Sequence, residues 1–195
     1  LRDRVYEVIE KNHFKPNSLA QGLITKKTNT IGIIVPDISN AVFGKLTKGI
    51  NSVFAKEGYT VVLCESQGEI EKELKLLGIL EEKQIEGLLF AGVDVNHTLV
   101  ESMRKRNYPV VLVTQEASED EEAVHTVIHN NVEAMYDAVK FLLDNGHERI
   151  AYLGGPKNDF SSGKKRVIGY KKALEEAGIG VKDSYIVQGD FAFEA

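Results

Sequence analysis

The chain predicts an α/β fold built on a parallel sheet with helices on both faces. Three observations carry that prediction. Ile31 to Val35 is a β-branched run broken only by Gly32, as a strand buried on both faces requires. Strand-like and helix-like segments then alternate in units of roughly 25 to 30 residues, the pattern of parallel strands joined by right-handed crossovers. The helical segments stop at glycine, as at Gly58, Asn145-Gly146 and Gly178.

Taken in order, Val5, Val8 and Ile9 recur at helical spacing, so residues 2–12 read as a short amphipathic helix, stopped by Asn12-His13 and Pro16. Asn17 or Ser18 can cap a second, very short helix ending near Leu23. Thr25 to Asn29 is polar linker. After the strand at Ile31–Val35, Ser39 or Asn40 caps a helix with Val42, Phe43, Leu46, Ile50, Val53 and Phe54 on one face. Thr60–Cys64 is the next strand. Ile70, Leu74, Leu77 and Leu80 mark a helix, Gly87–Ala91 a strand, and Leu99, Val100 and Met103 a helix. Pro109–Val113 is a fourth strand and His125–His129 a short fifth. Asn131 is expected to cap a helix carrying Met135, Val139, Leu142 and Leu143. A strand at Ile150–Leu153, a helix with Val167, Tyr170, Ala173, Leu174 and Ala177, and a strand at Ser184–Val187 complete the reading.

Bulk properties narrow the function. With 195 residues, 43% hydrophobic and 27% charged, the chain is sized for one sizeable domain or two small ones. One cysteine excludes a disulfide framework and points to a reducing compartment, the cytoplasm. No apolar run is long enough to span a membrane, and Leu1-Arg2-Asp3-Arg4 lacks an apolar export core. There is no initiating methionine, so a fragment is expected. The net charge of −5 is unevenly placed: residues 1–30 carry +3 and the remainder −8. A basic end on an acidic body suits a protein that meets phosphate at one end only; a solvated linker is the alternative.

Catalytic and metal chemistry find little support. Gly155 to Lys165 superficially suggests a phosphate loop, but Gly163-Lys164 is followed by lysine and no glycine stands five residues earlier. His125 and His129 could share a strand face, yet no carboxylate or cysteine completes a metal set. Cys64 ends a buried strand without a partnering His/Asn arrangement. The acidic run Glu116 to Glu122 reads as a solvated loop. No enzyme, cofactor or metal is expected.

Five segments taken together resemble the LacI/GalR family of bacterial transcription regulators. They are Phe14 to Leu23, Thr30-Ile31-Gly32 through Pro36-Asp37-Ile38-Ser39-Asn40, Gln84 to Leu89, Asn145 to Ile150, and Arg166 to Leu174. The ending Asp183 to Phe191 is similar to the purine-repressor and catabolite-control branches. The resemblance implies a Rossmann-like, periplasmic-binding-protein-like core preceded by a hinge helix and the remnant of a helix-turn-helix domain. On that basis residues 1–16 are the last helix of the DNA-binding domain and 17–29 the hinge helix and linker. Residues 30–156 are the N-terminal subdomain of the effector-binding core, and 157–195 an incomplete start of its C-terminal subdomain.

The resemblance also implies roles. In the family a pair of hinge helices enters the minor groove, where a leucine wedges between base pairs and bends the duplex. Leu23 matches the wedge, Ala20 the small residue that lets two hinges approach, and Asn17, Ser18 and Gln21 could position the DNA backbone. A plain linker helix with Leu23 packed on the core is the alternative. A helix this short is expected to order only on DNA. On the effector side, ligands of open α/β sheets sit beyond the carboxyl ends of the strands. There Val42 and Phe43 match apolar or stacking contacts, and Ser162 and Arg166 match a Ser-x-x-x-Arg-x-x-Gly-[Tyr/Phe] motif. Arg166 offers a fork of donors to hydroxyls, phosphate or carboxylate. Phe43 as core and Arg166 as a surface ion pair are the alternatives. The family's usual Asp-Asn before the fourth core helix is His129-Asn130 here, which places Asn130 among the effector residues without the aspartate.

The implied function is a ligand-responsive, DNA-binding regulator of carbohydrate or related metabolism, expected to be a repressor and a homodimer. Its partners would be an operator and a sugar, sugar phosphate or purine. A regulator answering to a phosphorylated carrier protein and a sugar-binding transport protein are the rival readings.

Overall fold

The computed structural model describes residues 2–11, 27–117, 124–156 and 159–189. Helix α1 (Arg2–Lys11) forms as its spacing predicts, but Val5, Tyr6 and Val8 remain more than half exposed. The first sheet has strands β1 (Thr30–Val35), β2 (Thr60–Glu65), β3 (Gly87–Phe90), β4 (Val110–Val113) and β5 (His125–Val127). They are all parallel, in the order β2-β1-β3-β4-β5.

Alternation along β1 sends its side chains to two cores. Ile34 joins Leu88, Phe90 and Leu112 against helices α3 (Ile70–Glu82) and α4 (His97–Arg104). Ile33 and Val35 turn to the other face, where Phe43, Leu46 and Ile50 of helix α2 (Ala41–Phe54) pack. That second face is thinly covered: no residue of α2 is fully buried, and Val42 and Val53 are exposed. Asn40 is the cap, its Oδ1 accepting from Val42 N at 3.0 Å. After α2 a short 3₁₀ turn reaches Gly58, whose φ of 78° reverses the chain where a side chain would be strained.

The chain then crosses to a second lobe. Helix α5 (Asn131–Asp144), strand β6 (Tyr152–Gly154), helix α6 (Lys165–Glu176) and strand β7 (Ile186–Gln188) surround a separate core of Val139, Ile150, Tyr152, Tyr170, Ala173 and Leu174. β6 and β7 form a parallel pair. Tyr170 Oη donates to Ile150 O at 2.8 Å, satisfying the buried phenol. α5 and α6 meet at Gly169, where a Cβ would lie 2.1 Å from Val132 O.

Three expectations are corrected here, and one element is added. The lobe boundary falls between β5 and α5, not at 156/157, because α5 and β6 share a core with α6 rather than with the first sheet. Asn130, not Asn131, caps α5, with Oδ1 accepting from Glu133 N. β6 and β7 begin two residues later than expected; residues 183–185 take a 3₁₀ turn first. Helix α6 is preceded by a π-helical turn, Phe160–Lys164, that periodicity did not announce.

Candidate functional site

A cleft of about 720 Å³ opens at the carboxyl ends of the strands, between the two lobes. The strand order reverses direction between β1 and β3, so the loops leaving these strands splay apart and leave a crevice. Five loops of the first lobe line it, through Pro36 to Phe43, Glu65 to Glu69, Gly92-Val93, Thr114-Gln115 and His129; the second lobe contributes Pro156, Ser162 and Arg166.

Each wall is held by local chemistry. Asp37 accepts from both the amide and the hydroxyl of Ser39 at 2.7 Å, and these bonds hold its carboxyl below the usual range. Glu65 Oε1 accepts from Ile38 N at 2.9 Å, tying the loop after β2 to the loop after β1. Gln67 and Thr114, both lining the cleft, hold left-handed backbone at φ 59° and 68°, a conformation kept for such residues only where the surroundings enforce it. On the far wall, Asp159 is fully buried; it accepts from Ser162 N at 2.9 Å and bonds the Ser162 hydroxyl. Arg166 Nε donates to Asn131 Oδ1 at 2.9 Å, and Asn131 is itself buried at the start of α5.

The lobes also touch directly. Glu116 N donates to Ser161 Oγ at 2.5 Å, and the Glu116 carboxylate pairs with Lys165. Glu116 was expected in a solvated acidic loop; it instead bonds Ser161 of the π turn and Lys165 just after it. Residues 118–122 of that run lie outside the described residues.

Of the expected effector residues, Val42, Phe43, Ser162 and Arg166 all line the cleft. Phe43 does so while packing half-buried on the β1 core, so its two readings coexist. Arg166 is bonded to an amide oxygen, not a carboxylate, which leaves its guanidinium charge uncompensated by that partner. Asn130 is placed elsewhere: capping α5 engages its Oδ1, its Nδ2 reaches Glu133 at 2.9 Å, and it lines a second, smaller hollow beside Tyr136 and Lys172. Of its two neighbours, His129 lines the cleft and Asn131 holds Arg166. The hinge positions Asn17, Ser18, Ala20, Gln21 and Leu23 lie outside the described residues.

Sequence reasoning missed the loop after β2, with Glu65, Gln67 and Glu69. Its signal was Gln67-Gly68 directly after a predicted strand, the sharp turn such sites use. The walls differ in charge: Asp37, Glu65 and Glu69 face the cleft from the first lobe, Arg166 from the second. Carboxylates accept from hydroxyls and a guanidinium donates to oxygen acceptors, so the two walls offer opposite hydrogen-bonding chemistry. Among the described residues, no set of three His, Cys, Asp or Glu is arranged to hold a metal, and no helix is long and apolar enough to cross a membrane.

Comparison with known proteins agrees with this geometry. Residues 28–194 match the family described as periplasmic binding proteins and sugar binding domain of LacI family. Catabolite control protein A of Priestia megaterium is 38% identical over 194 residues, which cover 100% of this chain and 58% of that protein. The HTH-type transcriptional repressor PurR of Aliivibrio fischeri (strain MJ11) is 32% identical over 188 residues, covering 96% of this chain and 55% of the repressor. The crystal structure of the transcription regulator CcpA of Lactococcus lactis superposes with a TM-score of 0.77 at 30% identity, covering 85% of this chain and 60% of that one. This chain thus spans a little over half the length of these relatives. On the extent of the family match and the identity to these regulators, the chain belongs to the family of periplasmic binding proteins and LacI-type sugar-binding domains.

Proposed function

We propose that this chain is the sensing core of a ligand-responsive, DNA-binding transcription regulator that represses genes of carbohydrate or related metabolism. The observation that carries the reading is the two-lobed cleft, in which family-matched Val42, Phe43, Ser162 and Arg166 converge from both lobes. A ligand bridging the walls would favour one interlobe angle by its differential affinity, and that angle would set the spacing of the amino-terminal segments that meet DNA. Asn17, Ser18, Ala20, Gln21 and Leu23 are the proposed minor-groove element, acting as a pair in a cytoplasmic homodimer. No catalytic step is assigned to the cleft.

A second reading is favoured by the 38% identity to catabolite control protein A: a phosphorylated carrier protein as co-regulator, acting with or in place of a small ligand. One experiment addresses both. In the full-length gene product, calorimetry with cellobiose, glucose 6-phosphate and adenine is followed by operator selection with and without the ligand that binds. At least one probe is expected to bind, to change operator affinity, and to lose tenfold or more in affinity on Arg166→Ala. Operator binding that answers only to a phosphorylated carrier protein would transfer the function to the second reading. Absence of sequence-specific DNA binding under all conditions would overturn both.

A further inference from the structure

A cluster around Glu86 pins the chain where it enters the first lobe, and none of its members lines the cleft. Glu86 stands directly before β3. Its Oε1 accepts from two consecutive backbone amides, Thr28 N and Asn29 N, each at 2.7 Å. Its Oε2 accepts at 3.2 Å from the phenol of Tyr59, which stands directly before β2. Around that carboxylate, Thr28 Oγ1 donates to Gln84 O and Thr60 N donates to Asn29 O, both at 2.7 Å. Asn29 and Gln84 hold left-handed backbone, at φ 47° and 56°.

Successive amides turned to one side make a concavity for an anion. Here the anion is a side chain of the same lobe, and hydrogen bonds to a carboxylate are stronger than those between neutral groups. The register of the sheet does not need this clamp. β1 is already paired with β2 from Thr30 to Val35 and with β3 from Ile31 to Ile34. Thr28 and Asn29 lie beyond that register, on the linker side of Thr30. What the clamp fixes is therefore the direction in which the chain leaves the lobe. It does so at the amino ends of β1, β2 and β3, a full strand length from the cleft at their carboxyl ends.

Resting on the reading of the chain as a DNA-binding regulator, we infer that Glu86 is a positioning residue for operator binding: it clamps Thr28 and Asn29 so that the amino-terminal segment leaves the first lobe in one direction and follows that lobe when the interlobe angle changes. Without the clamp, the linker has to be ordered at the moment DNA binds, and that entropy is subtracted from affinity.

Amide hydrogen exchange on the full-length protein tests the clamp without DNA. The Thr28 and Asn29 amides should be protected in the wild type and exchange about tenfold faster in Glu86→Ala, the effect of losing a bond to a charged acceptor. Ile33 and Leu89, inside β1 and β3, should stay protected. Glu86→Gln keeps an oxygen for both amides and should restore most of the protection. Should Glu86→Ala fail to fold, Glu86→Met, of similar length and without an oxygen, takes its place with the same expected losses. Operator affinity is then read by fluorescence anisotropy on a duplex that the wild type selects from a random pool. Glu86→Ala should bind that duplex about tenfold more weakly, and Glu86→Gln within about threefold of wild type. Tyr108→Phe, which removes a buried hydrogen bond to Leu77 O in the same lobe, should lower stability and leave operator affinity unchanged. Unprotected amides in the wild type, or equal exchange in Glu86→Ala, would overturn the clamp. Faster exchange with unchanged operator affinity, or an equal loss of affinity in Tyr108→Phe, would overturn the positioning role alone. A wild type that selects no duplex would sink the regulator reading and the positioning role with it, while the exchange rates still show whether the clamp stands.

Discussion

Replacing Glu73 by glutamine should make the protein more stable at neutral pH, although it removes a buried native side chain. In the folded state burial raises the Glu73 carboxyl from 4.5 to about 7. In the unfolded chain the same group titrates near 4.5. Between those pH values the folded chain holds a proton that the unfolded chain has released, so stability falls as pH rises. The contribution of the neutral acid is complete below pH 4.5 and is lost by pH 7. One pH unit corresponds to about 1.4 kcal/mol, so the window is worth about 3 kcal/mol. Glutamine has nearly the shape of the protonated acid, keeps an oxygen that accepts from the Ser66 hydroxyl, and does not titrate. The stability of Glu73→Gln minus that of wild type should therefore climb by about 3 kcal/mol from pH 4.5 to pH 7.5. Urea denaturation followed by circular dichroism at half-unit steps measures the difference, with all other carboxylates cancelling between the two proteins. Parallel pH profiles would refute the reasoning and show that the carboxyl titrates normally.

Other substitutions probe the frame around the cleft. Gly169→Ala drives a Cβ to 2.1 Å from Val132 O and 3.0 Å from Tyr136 N, both backbone atoms of α5 that cannot step aside; a loss of about 3 kcal/mol is expected in urea denaturation. Gly44→Ala, in α2 with nothing within 4 Å of the new Cβ, should instead raise stability by about 0.5–1 kcal/mol in the same assay. Asn40→Ala removes the acceptor for Val42 N and should cost about 1 kcal/mol, with faster amide exchange confined to the first turn of α2.

Much of the frame was legible because its signals are local. β1 is a β-branched run, and α2 carries its apolar residues at helical spacing after a capping Asn40. Even so, one-residue choices escaped periodicity. Asn130 and Asn131 are chemically equivalent caps, and only the approach of α6, which brings Arg166 to Asn131, separates their roles. Val42, Phe43, Ser162 and Arg166 were found through a family motif, which carries tertiary information that composition and spacing lack. The loop after β2 went unread because its residues face the cleft only when β2 pairs with β1 in the observed register, Val35 opposite Glu65.

By itself, then, the sequence determined the alternation of strands and helices, the parallel character of the sheet and the capping of α2, since each depends on residues a few positions apart. Tertiary structure alone decided that α5 belongs to the second lobe, that Glu116 reaches Lys165, and that Glu73 lies buried beside Ser66 and Gly92. Those outcomes depend on which distant surfaces come into contact and on how much water they exclude. A glutamate on an amphipathic helix looks the same in sequence whether it faces solvent or a cleft floor; burial supplies the difference.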